Sequence, residues 1–148
     1  MTREDLQPGI LRDIFDYWTG LGSGGSSPSW LQVEPAAMPR RALPYLVAIE
    51  RLPDGDFYYR LSGTQVDALI GRVAQGKRLS ELPLDRGAEL TAAFQAVLDR
   101  QEPRLLHYAI TTAAYRFRET WRIALPMRAP DGAATMIFGA IQYGLPDR

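Results

Sequence analysis

The sequence predicts an α+β fold: one five-stranded antiparallel sheet, helices inserted between its second and third strands, and an amphipathic helix in front. Three observations carry this. Two apolar runs flank Pro53-Asp54-Gly55, three more follow Pro103, and between them apolar residues recur every three or four positions. At 148 residues the chain has the length of one domain. Within it, residues 1–44 read as a helix plus a Gly/Ser/Pro-rich connection and residues 45–148 as the core.

The elements follow in order. Residues 10–21 place Ile10, Leu11, Ile14, Phe15, Trp18 and Leu21 on one helical face, with Arg12, Asp13 and Asp16 opposite. The Gly/Ser tract at 20–28 ends that helix as a flexible loop; with no strand before it and no Lys-Ser/Thr after it, it is no phosphate cradle. Prolines 28, 35, 39 and 44 leave room for a short helical turn around 34–41. Residues 45–51 and 56–61 read as a hairpin across the Pro-Asp-Gly turn. Ser62-Gly63-Thr64-Gln65 has the form of a capping box and starts a short helix over 64–70, with Gly71 as its C-terminal cap. Asp85 caps a longer helix in which Leu90, Ala93, Phe94, Val97 and Leu98 share a face, and Pro103 closes it.

Three strands complete the chain, at 104–112, 117–125 and 134–143. The second alternates, with Phe117, Trp121, Ile123 and Leu125 on one side and Arg116, Arg118, Thr120 and Arg122 on the other. The last is apolar on both faces and needs cover on both. The N-terminal helix supplies one cover, from its own chain or from a dimer mate.

Composition excludes several chemistries. Seventeen basic residues balance seventeen acidic ones, so no net field draws the chain to nucleic acid. The absence of cysteine removes disulfides, thiolate catalysis, Cys-ligated zinc and iron–sulfur clusters. No apolar leader and no run of the ~20 residues that span a bilayer is present, so the expected setting is cytoplasmic and off the membrane.

Beyond element order, the segment Phe57-Tyr58-Tyr59-Arg60-Leu61-Ser62-Gly63-Thr64-Gln65-Val66-Asp67-Ala68-Leu69-Ile70-Gly71-Arg72 resembles the second strand and following helix of a PAS domain. Gly76-Lys77-Arg78-Leu79-Ser80-Glu81-Leu82 looks like the turn that follows. Tyr17-Trp18, Glu34-Pro35, Met38-Pro39 and Leu43-Pro44 look like the prelude of a compact bacterial PAS subfamily, often single-domain. The resemblance covers about 10–143, and the Tyr-Arg-Leu-x-Gly-Thr block is its most specific part. It implies a stand-alone sensory or signalling module that holds a small ligand between sheet and helices or serves as an interaction and dimerisation platform. Adduct-forming flavin photosensors of the family need a Cys and are excluded. Haem-binding members use a helical His, whereas the sole histidine, His107, falls on an expected strand, which argues against haem. With no kinase, cyclase or helix-turn-helix segment in the sequence, output is expected to pass through a partner protein or the assembly state.

Candidate pocket residues are Tyr59, Leu61, Trp121 and Ile123 from the sheet, with Leu69, Phe94 and Leu98 as the helical wall. The same composition also describes a packed core. Ile14, Phe15, Trp18 and Leu21 have the spacing of a packing seam, equally suited to a homodimer or to the chain's own sheet. Arg116, Arg118 and Arg122 read as a solvated face. No catalytic or metal-binding residue is assigned. Two other readings compete: a small isomerase- or dehydratase-like α+β enzyme, and a ligand-free dimerisation domain. The enzyme needs a His–carboxylate set inside the pocket, and Glu119 is the only carboxylate on an apolar strand face.

Overall fold

Alternation in the sequence becomes a five-stranded, wholly antiparallel sheet with strand order β2-β1-β5-β4-β3 in the structure, a computed structural model describing residues 1–22 and 27–144. The strands are β1 (Leu46–Arg51), β2 (Phe57–Ser62), β3 (Arg104–Ile110), β4 (Arg118–Met127) and β5 (Met136–Tyr143). The helices are α1 (Ile10–Leu21), α2 (Thr64–Ile70) and α3 (Gly87–Arg100), joined by short 3₁₀ turns. The α+β class and the insertion of α2 and α3 between β2 and β3 are as the sequence predicts. The Gly/Ser loop expected at 20–28 lies partly outside the described residues, at 23–26.

Two cores sit on the two faces of this sheet. Beneath α2 and α3, Val47, Ile49, Phe57, Tyr59, Leu106, Ile137 and Ile141 meet Val66, Leu69, Leu90, Phe94 and Leu98. On the other face, Leu46, Ala48, Ile123, Leu125, Phe138 and Ala140 meet Leu11 and Ile14, with Phe15, Trp18 and Leu21 packed around them. The seam of α1 therefore lies on its own sheet. Trp18 fastens it: its Nε1 donates to the carbonyl of Pro126 at 3.0 Å. Proline is tolerated there because β3 pairs only as far as Ala124, leaving that edge of β4 without a neighbouring strand among the described residues.

Two expected caps are used differently. The N-cap of α2 is Gly63 and has no side-chain cap bond. Ser62 Oγ donates instead to Asp67 Oδ1 at 2.7 Å and accepts from the Gln75 amide at 3.0 Å, tying the strand to the loop beyond the helix. Asp85 does not cap α3, whose N-cap is Arg86. Its carboxylate accepts from the Thr111 amide at 2.8 Å and staples the loop to the β3 end of the sheet.

Candidate functional site

β4 decides what the helices cover. From Thr120 onward its alternation is as read, but its sides are reversed: Trp121, Ile123 and Leu125 face α1, while Thr120, Arg122 and Ala124 face α2 and α3. A chain with two cores gives its more apolar strand face to one of them, here the core closed by α1. Placing Trp121 and Ile123 against the helices is thus corrected. Leu61 is corrected as well, for a different reason. Ala48 pairs with Leu61 but Ile49 with Tyr59, so Arg60 is the extra residue of a β-bulge. Tyr59 consequently points to the helices and Leu61 to α1, although they are two residues apart.

The remaining expected residues come together. Tyr59, Leu69, Phe94 and Leu98 are buried in the helix-side core. There the sheet and helices enclose a cavity of about 10 Å³ whose walls include Tyr59, Leu69, Ile70, Leu90, Tyr108 and Ile141. That is room for one water at most. Thr120 and Arg122 also line it, and they are the buried polar side chains of the described core, 3% and 6% exposed.

Thr120 is satisfied, because its Oγ1 donates to the Tyr108 carbonyl at 3.0 Å. Arg122 is not. Its guanidinium carbon lies 4.9 Å from the Phe94 ring centroid, and its buried Nη2 has no hydrogen-bond partner. Among the described residues, Arg12 Nε is the one other buried side-chain nitrogen in that state. The solvated Arg strip is therefore also corrected. Arg116 and Phe117 are exposed outside the strand, Arg118 Nη1 donates to the Gly144 carbonyl at 2.6 Å, and Arg122 is interior. Phe117, at φ +50°, interrupts the strand period that placed the three arginines together. Arg122 and Thr120 are the residues that sequence reasoning missed. For Arg122 the available signal was its place between Trp121 and Ile123 at the head of an apolar run.

The rim of the chamber is the segment before α3. Leu84 and Tyr108 are half-buried there. Arg86 holds the segment down, donating from Nε to the Ala109 carbonyl at 3.3 Å and from Nη1 to Glu89 at 2.8 Å.

His107 lies on the opposite face. Its Nε2 meets Glu119 Oε2 at 2.5 Å, and its ring stacks on Trp121 with centroids 4.6 Å apart. Both side chains of the His–Glu pair are more than half exposed. The pair an enzyme would need is present, but on an open sheet surface rather than in the chamber. Beside it a groove of about 310 Å³ runs between Trp121, Leu105 and Gln142 of the sheet and Leu6 and Leu11 near α1. Among the described residues no helix is long and apolar enough to cross a membrane.

A family model described as PAS domain matches residues 6–142. Among solved structures, VqmA of Vibrio cholerae in a complex with ligand and DNA is similar, with a TM-score of 0.57 and 16% identity over 68% of this chain and 46% of that one. VqmA in the absence of target DNA gives 0.56 and 15% identity, covering 70% and 47%. The light state of the Aureochrome1 light-oxygen-voltage domain gives 0.52 and 12% identity, covering 73% and 87%. The chain thus spans less than half the length of VqmA, and identities this low speak to the fold alone. No curated protein matches the sequence significantly.

Proposed function

The chain belongs to the PAS domain family, and from that premise we propose that it is a sensory module whose input is received in the chamber under α2 and α3. The observation that supports this reading is Arg122, 6% exposed, whose buried Nη2 has no hydrogen-bond partner in a largely apolar interior. A core evolved only for packing has little reason to keep such a group, because a buried polar atom without a partner is destabilising. In this reading β4 carries the signal. Arg122 faces the chamber and its neighbour Trp121 faces the outer groove, so a shift of one strand is felt on both faces. The outer groove would then present the output to a second copy of the chain or to a signalling partner.

Native mass spectrometry and an absorbance scan of the protein purified without denaturant test the reading. A retained small molecule, lost on unfolding, is the expected result. An apo protein whose melting responds to no small molecule would refute it. A ligand-free interaction domain is the second reading, favoured by the near-closure of the chamber at about 10 Å³. A concentration-dependent dimer with no ligand response would select it. The His107–Glu119 pair, exposed and outside the cavity, gives the enzyme reading no support.

A further inference from the structure

We infer that the chamber takes a small carboxylate with a short apolar tail, its anionic head received by Arg122. The inference rests on the sensory reading above and adds the chemical class of the ligand. Arg122 is 6% exposed, and among the described residues its buried Nη2 has no hydrogen-bond partner. Arginine keeps its charge at any physiological pH, so the burial calls for an anion. Among the described residues no carboxylate lines the cavity; its other polar groups are Thr120 and the tyrosines 59 and 108. Phe94 lies against the guanidinium, whose planar fork of N–H donors includes the unpartnered Nη2. That fork matches the two oxygens of a carboxylate. Leu69, Ile70, Leu90 and Ile141 supply apolar wall for a tail, which chloride or phosphate would not use.

A cavity of about 10 Å³ admits no such molecule as it stands. Entry therefore requires Leu84, Leu90 and the segment before α3 to move outward. The bonds that would have to open are those of Arg86 to Ala109 and Glu89 and the pairing of Asp85 with Thr111.

The test is a thermal melt and calorimetric titration with sodium acetate, butanoate and hexanoate. Butanamide and sodium chloride at matched ionic strength are the controls, on wild type, Arg122→Met and Arg122→Lys. Butanoate or hexanoate should raise the wild-type melting temperature by several degrees, with no effect of butanamide or chloride. Arg122→Met should abolish the response while melting no lower than wild type without ligand, because it removes an unpaired buried charge. Arg122→Lys keeps the charge but not the fork and should weaken binding about tenfold or more. Indifference of wild type to all three carboxylates would overturn the inference, and so would equal responses in Arg122→Met or a response that chloride reproduces. A neutral molecule found by native mass spectrometry and retained by Arg122→Met would remove the anion inference while leaving the sensory reading intact.

Discussion

Gly63 shows how a single position can carry a family block. Its φ of −72° is ordinary, so the constraint is space rather than backbone strain. A Cβ at this site would stand 2.2 Å from the Pro44 carbonyl oxygen, where the 3₁₀ turn before β1 crosses the start of α2. The backbone cannot yield there cheaply, because the Gly63 amide also donates to the Leu46 carbonyl at 2.9 Å. Gly63→Ala should cost roughly 1–3 kcal/mol by forced displacement, read as a lower urea midpoint at unchanged slope. A midpoint equal to wild type would show that the crossing relaxes freely. Tyr143 makes a second test at this scale. Its hydroxyl donates to the Gln65 carbonyl at 2.8 Å, joining the end of β5 to α2. Burial, with the phenols of Tyr115 and Tyr45 beside it, holds this hydroxyl above the usual phenol range, while Arg118 opposes the shift. The folded state therefore keeps the proton more tightly than the unfolded one. The stability this contributes is present below about pH 10 and is lost as pH rises through the higher folded value. Tyr143→Phe should flatten the alkaline decline in melting temperature above that point; an unchanged decline would assign it to other groups.

At the scale of elements, α1, α2 and the Gly71 cap were legible to the residue, and the two N-terminal caps were not. The stripe of α1 and the span of α2 follow from apolar spacing alone, because burial of one face selects that spacing. Ser62 and Asp85 were misread because a short polar side chain near a helix start has several backbone amides within reach, and tertiary neighbours decide among them. Strand period was legible too, but sidedness was not. Period two states which residues share a face and is silent on which layer covers it, and the bulge at Arg60 is invisible to any count. The seam on α1 had two readings, and its packing gives a direct test. Trp18 is fastened to Pro126 within the chain, so Trp18→Ala should destabilise by roughly 2–4 kcal/mol through lost packing and one lost hydrogen bond. Its mass by light scattering should equal that of wild type. A changed assembly state would put Trp18 in an interface between copies.

The whole molecule is one sheet shared by two cores, and this arrangement explains both what the sequence showed and where it misled. An α+β order with helices after β2 draws attention to the face those helices cover, so Leu61, Trp121 and Ile123 were placed there. The both-sided apolarity of β5 was the clue to a second core, since Ile137 and Ile141 face α2 and α3 while Met136, Phe138 and Ala140 face α1. The consequence is that α1 is structural cover rather than an appendage. Ile123, Leu125 and Phe138 are each almost wholly buried on that face, Leu125 and Phe138 at 0% exposure. Exposing them forfeits roughly 1.5–3 kcal/mol apiece, a sum comparable to the ~5–15 kcal/mol by which a domain is stable at all. Deleting residues 1–21 should therefore leave no monomeric native state. The truncated chain is expected to bind a hydrophobic dye strongly and to self-associate, because a flat apolar sheet face seeks a second cover. Ile14→Asp, in the full chain, should move partway in the same direction, since it places a charge at a site with 0% exposure. A truncated chain that stays monomeric, dye-silent and cooperatively folded would mean the helix-side core carries the fold alone. The outer face would then be a surface kept free for a partner, with α1 as its removable lid.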